Sequence, residues 1–211
     1  MMTKQWMEEE ILRTVRKNQF EKLCRVRFQI YGGKGGLFDG QNPWTEFIID
    51  CQRVEPSMMQ LNEKGLSLIY AKGIAKSPDS IANLKTTNAM IYCVAARQAS
   101  AKKVDNAIIL NTQGNPIETT LANLYCIKGD IIYTPPLSEG PVAGVMRRYV
   151  LKELPKNGFT VKEEPFSIDF LKTADAVFVT NAIRRFKWVA SIEDTQYSFD
   201  KILNVYEKIS Y

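Results

Sequence analysis

The stretch NAIILNTQGNPIETTLANLYCIKGDIIYTPPL (106–137) lies between LKTTNAMIYCVAARQA (84–99) and GPVAGVMRRYVL (140–151), and its reading decides the fold. Residues 106–111 form a short apolar run closed by the turn residues Gln113-Gly114-Asn115-Pro116, which predicts a strand and its exit. Two further apolar runs, 121–127 and 131–134, flank Lys128-Gly129-Asp130 as in a compact hairpin, and Pro135-Pro136 ends it. Working outward, Met90, Ile91, Val94 and Ala95 recur at helical intervals within 86–101. On the other side, Val145, Met146, Tyr149, Val150 and Leu154 predict a helix over 143–154 that Gly158 stops. Strands are expected at 175–180 and 186–192, and a last helix at 199–209.

The N-terminal part reads differently. Met7, Ile11, Leu12 and Val15 give helical spacing over 5–17, with acids early and bases late. Residues 24–31 (CRVRFQIY) alternate, with Val26, Phe28 and Ile30 on one face, so a strand is expected there. A glycine-rich turn at 32–36, a strand at 45–52 and a short strand near 67–71 follow. The segment 72–83 has little pattern and contains the turn signal Lys76-Ser77-Pro78-Asp79, which places a lobe boundary between 75 and 76. Helices and strands mixed in this order indicate an α+β fold.

Composition narrows the chemistry. Among 211 residues there is no histidine, which removes Ser-His-Asp triads, Cys-His nucleophiles and HExxH zinc sites. Any proton carrier must be a lysine, a carboxylate, a tyrosine or a cofactor. Lys and Arg exceed Asp and Glu by 28 to 23, a net charge of +5 with no basic block. Arg147-Arg148 and Arg184-Arg185 read as surface charge, so no nucleic-acid partner is expected. Cys24, Cys51, Cys93 and Cys126 form no CxxC pair; buried free thiols and no metal site are expected. Glu8-Glu9-Glu10 stands where a signal peptide would be apolar, and no apolar run approaches the roughly 20 residues that span a bilayer. A cytoplasmic protein with no membrane partner is the expectation.

Four candidate sites emerge. The glycine turn 32–36 lacks the spacing of a phosphate loop, and Lys34 precedes Gly35 rather than Ser or Thr, so it reads as a hairpin connection. Pro141-Val142-Ala143-Gly144-Val145-Met146-Arg147 enters a predicted helix, whose free N–H groups and dipole suit a phosphate, with Gly144 permitting close approach. Lys85 stands just before an amphipathic helix, and Glu118 lies in Pro116-Ile117-Glu118-Thr119-Thr120 beside a hairpin. An amine, a carboxylate and a helix-terminal phosphate cradle, without histidine, are what pyridoxal 5′-phosphate requires.

Taken together, 84–99, 106–137 and 140–151, with ADAVFVTNAI (174–183), resemble the class IV aminotransferases, the fold type IV pyridoxal phosphate enzymes. Branched-chain and D-amino acid aminotransferases and aminodeoxychorismate lyase belong to that group. The resemblance implies a two-lobed fold, with the smaller lobe (1–75) truncated because the family's opening H-x-x-R-L motif has no counterpart, and a larger cofactor-binding lobe (76–211). It implies that Lys85 is the Schiff-base lysine, that Glu118 faces the pyridine nitrogen and that Asn123 belongs to the motif around it. It further implies phosphate contacts from Gly144, Val145 and Met146, and cofactor contacts from Asn181 and Ala182. Met146 and Ala182 stand where many members carry Thr or Ser, and Ala89 where the branched-chain enzymes carry Tyr. The implied activity is amino-group transfer between an amino acid and a 2-oxo acid in a homodimer. The alternatives are a lyase-type elimination releasing pyruvate and 4-aminobenzoate, and a non-catalytic dimeric homologue. The stretch 31–40 (YGGKGGLFDG) is more similar to the lyase-like members.

Overall fold

The computed structural model describes residues 2–20, 22–36 and 45–209. The chain divides into two compact units, residues 1–58 and 59–211.

In the first unit, helix α1 (Lys4–Lys17) starts on Thr3, whose Oγ1 accepts the Trp6 N–H, and ends with Arg16 and Lys17 against the negative end of the helix dipole. Strands β1 (Cys24–Gly32) and β2 (Thr45–Arg53) pair antiparallel, with Val26 opposite Cys51, Phe28 opposite Ile49 and Ile30 opposite Phe47. Period-2 alternation therefore puts those side chains on one face. The Trp6 ring meets Phe28 and Phe47 edge-on, at centroid distances of 6.3 and 4.9 Å. Residues 37–40 of the glycine-rich stretch lie outside the described residues.

The second unit is built on a nine-stranded sheet. Its strands are β3 (Leu66–Tyr70), β4 (Asn106–Leu110), β5 (Pro116–Thr119), β6 (Asn123–Lys128), β7 (Ile131–Thr134), β8 (Thr160–Glu163), β9 (Ala176–Asn181), β10 (Arg185–Ile192) and β11 (Thr195–Gln196). Neighbour pairing runs β3–β4–β5–β6–β9–β10 and returns to β3, closing a ring, while β7 with β8 and β11 extend from it. Closure leaves those strands without free edges. One face of the ring buries Leu68, Ile108, Leu124, Cys126, Val177, Val179 and Val189. On the outside, α2 (Met90–Ala101) covers Ala107, Ile109 and Ile117. Tyr125, Phe178 and Phe186 are covered by α3 (Val145–Lys156) and α5 (Asp200–Lys208). A short α4 (Ile168–Lys172) adds Leu171 to the inner cluster.

Several expectations move. The units separate between Met58 and Met59, earlier than the expected 75/76, because β3 lies in the second unit's sheet, parallel to β4 and β10. Helix α2 begins at Met90 and not at 86; Thr86, Thr87 and Asn88 favour turns, and the Ala89 N–H bonds back to Thr87 O. Helix α3 begins at Val145 and not at 143, since the Ala143 N–H is taken by Asn83 O and Gly144 is extended. The sequence pattern did not separate β5, β8, β11 and α4, all short. All four cysteines are free as expected, yet only Cys126 is buried, and burial pushes its thiol up to about 12. Cys93 is exposed.

Candidate active site

Strand register builds the floor of the site. Glu118 on β5 is paired with Asn123 on β6, and Asn123 with Thr180 on β9. Directly opposed residues share a face, so these three polar side chains form one row across the sheet. All three are buried. A polar row beside an otherwise apolar face must find hydrogen-bond partners or destabilise the fold.

Glu118 finds them on both oxygens. Lys76 Nζ donates to Oε1 at 2.7 Å, and the Tyr92 hydroxyl donates to the same oxygen at 2.7 Å. The Val142 N–H donates to Oε2 at 2.9 Å. Lys76 Nζ also donates to the Tyr92 hydroxyl at 2.7 Å, which closes a three-membered cluster. The Lys76 side chain is 12% exposed and that of Glu118 4%, so this is a largely buried ion pair. Burial, reinforced by the Glu118 charge, holds the Tyr92 hydroxyl far above the usual phenol range, so it remains a donor at neutral pH.

Asn123 continues the same logic. Its Nδ2 donates to Val142 O at 2.8 Å, so Val142 is held by Glu118 through its N–H and by Asn123 through its carbonyl. These two bonds bring the loop before α3 onto the polar row. Gly144 lies two residues on, and a Cβ there would overlap Asn123 Oδ1. Any side chain there would have to displace the Asn123 amide. Helix α3 then starts with no side-chain cap on Gly144, and Val145 is exposed. The first-turn amides of an α-helix lack intrahelical acceptors, which leaves this end suited to an anion.

Lys85 reaches the site by a separate route. Asn83 Nδ2 donates to Leu137 O (2.8 Å) and Pro141 O (2.7 Å), while Asn83 O accepts from the Ala143 N–H (2.9 Å). One asparagine thus ties the Lys85 loop to the loop that enters α3. Lys85 is exposed, with Nζ 5.9 Å from the Tyr92 ring centroid.

These elements enclose a cavity of about 270 Å³ lined by Lys85, Glu118, Asn123, Gly144, Val145, Met146, Asn181 and Ala182, together with Tyr92 and Thr180. Every site residue expected from the sequence therefore borders one space. Asn181 does so with its side chain already engaged: Nδ2 donates to Leu121 O, and Oδ1 accepts from the Ile183 and Arg184 N–H groups. A second cavity of about 230 Å³, lined by Lys76, Asp79, Thr86, Asn88 and Ala89, shares Lys85, Tyr92 and Val142 with the first.

Sequence reasoning missed Lys76, Tyr92 and Thr180. Thr180 carried a signal, a polar residue ending the apolar run AVFV. Lys76 was read only as part of a turn, and nothing local marks Tyr92.

The chain superposes on the branched-chain aminotransferase from Thermoproteus uzoniensis with norvaline at a TM-score of 0.87, with 20% identity over 99% of this chain and 70% of that one. Residues 2–192 match the model of the amino-transferase class IV family, and the chain belongs to that family. It is 33% identical over 121 residues to an aminodeoxychorismate lyase from Vibrio harveyi (57% of this chain, 45% of the relative). It is 25% identical over 195 residues to the branched-chain-amino-acid aminotransferase-like protein 2 of Arabidopsis thaliana (90% of this chain, 34% of the relative). The chain spans between 34% and 62% of the length of such curated relatives. The family is pyridoxal phosphate-dependent. Among the described residues, no helix is long and apolar enough to cross a membrane.

Proposed function

We propose that this protein is a pyridoxal phosphate enzyme that transfers an amino group between an amino acid and a 2-oxo acid. The observation that carries the reading is the convergence of Lys85, Glu118 and the uncapped start of α3 on one cavity. The residues fit the cofactor: an accessible amine, a buried carboxylate, and a glycine whose missing Cβ leaves the helix start open. Lys85 would hold the cofactor through its amine, Glu118 would face the ring nitrogen, and the amides of Val145 and Met146 would hold the phosphate. Asn123 would act through the backbone it fixes, and Asn181 and Ala182 through the loop after β9.

Bound pyridoxal phosphate supplies an electron sink that stabilises negative charge at the substrate α-carbon. Lys85 Nζ, when free, is the base that takes the α-proton and returns it. Glu118 sets the charge opposite the ring, and the helix terminus holds the phosphate without a basic side chain. Val145, Leu121, Leu84 and Met90 leave large apolar surfaces exposed, which supports a homodimer in which a second chain completes the site.

A second reading, elimination releasing pyruvate, is favoured by the identity to the Vibrio harveyi lyase. It begins with the same proton removal. The test is an absorbance scan after adding pyridoxal phosphate, followed by assays for both products. A band near 410–430 nm, roughly where any lysine-bound cofactor absorbs, that is lost in Lys85→Ala supports the proposal. Equal spectra for wild type and Lys85→Ala reject it in favour of a non-catalytic homologue. Pyruvate release from aminodeoxychorismate without amino transfer selects the lyase.

A further inference from the structure

The buried cluster behind Glu118 has a role of its own, and the inference rests on the cofactor reading above. Glu118 lines the larger cavity and Lys76 does not; Lys76 lines the neighbouring one, and Tyr92 borders both. The Lys76–Glu118 pair therefore passes through the wall between two cavities, with the ammonium on the side away from the proposed ring. Lys76 Nζ and the Tyr92 hydroxyl both donate to Glu118 Oε1, each at 2.7 Å, and they donate to each other. The Val142 N–H holds Oε2. The carboxylate is thus gripped from three directions by groups on three separate segments: the loop before α2, α2 itself, and the loop before α3.

We propose that Lys76 and Tyr92 are positioning residues that clamp Glu118 as an oriented anion facing the larger cavity, and that this clamp gives the site its preference for a ligand with a basic ring nitrogen. A carboxylate this buried keeps its charge only with a compensating cation and donors. Lys76 supplies the charge from outside the ligand space, so it supports the anion without occupying the place of a ring. Tyr92 adds a neutral donor whose proton is retained at neutral pH. Its ring also neighbours both lysines, with Lys76 Nζ 5.4 Å and Lys85 Nζ 5.9 Å from its centroid.

The test compares equilibrium binding of pyridoxal 5′-phosphate with that of its 1-deaza analogue, in which C–H replaces the ring nitrogen. Both are titrated against the full chain and followed by quenching of tryptophan fluorescence, so turnover is not the readout. Wild type is expected to prefer the natural cofactor by tenfold or more. Lys76→Met should reduce that preference to less than threefold, Lys76→Arg should restore it, and Tyr92→Phe should reduce it by a smaller factor. Binding of the deaza analogue should change less than threefold throughout, which a general loss of structure would not allow. If Lys76→Met does not fold, Tyr92→Phe and Lys76→Arg carry the comparison. An unchanged preference in folded Lys76→Met, or in Tyr92→Phe where that variant alone is available, overturns the clamp and leaves the proposed function standing. Failure of wild type to bind pyridoxal phosphate overturns both.

Discussion

Lys76 and Lys85 lie in the same stretch between β3 and α2, and the fold treats them in opposite ways. Lys76 is largely buried and bonded to Glu118 and Tyr92, whereas Lys85 is exposed and has no hydrogen-bond partner among the described residues. The Lys76 ammonium, held in an ion pair, sets charge and geometry. Lys85 Nζ at the cavity wall has only the Tyr92 ring nearby among the described residues. The same residue type is thus tied into the fold at one position and left accessible at the other, and the difference comes from what the fold places beside each.

Stability should separate the two most sharply. Lys76→Met strands a buried carboxylate and should lower unfolding free energy by about 3–5 kcal/mol, read from urea melts. Gly144→Ala tests the close approach of the α3 start to Asn123: the new Cβ must displace Asn123 or the loop, at a cost of about 1–3 kcal/mol, and should weaken inorganic phosphate binding measured by calorimetry. Tyr92→Phe removes two hydrogen bonds, one to each member of the ion pair, and should cost about 1–2 kcal/mol at pH 7.

Tyr92 also predicts a pH effect. Its folded pKa is raised above the unfolded value, so its contribution is complete below about pH 10 and is lost as pH rises beyond that. Tyr92→Phe should therefore lose less stability than wild type between pH 10 and 12, with Tyr70, Tyr125 and Tyr197 still giving an alkaline decline in both. The smallest stability effect belongs to Lys85→Ala, within about 0.5 kcal/mol because the side chain is exposed. That same variant should abolish cofactor absorbance. A large destabilisation by Lys85→Ala would erase the contrast between the lysines.

The long periodic segments were legible without coordinates. Alternation in 24–31 and the apolar runs around the Lys128-Gly129-Asp130 turn yielded β1, β6 and β7, since burial of one face imposes a period on the chain. Boundaries shifted where local polar residues compete with the helix, as at Thr86–Asn88 before α2. Strands as short as β5 and β8 carry too few residues to show a period. Resemblance named the cavity residues one by one, but not the network that holds them.

The order of residues by itself determined the fold class and the absence of imidazole chemistry, because these depend on residue type and on periodicity along the chain, while the resemblance of whole segments to a family picked out Lys85, Glu118 and the start of α3 as candidates. Only the tertiary structure decided which lysine is buried, that Glu118, Asn123 and Thr180 share a row, and that Asn83 joins the Lys85 loop to the start of α3. Those relations join residues far apart in the chain. They are set by strand register and by the need to satisfy buried polar groups, which no local pattern encodes.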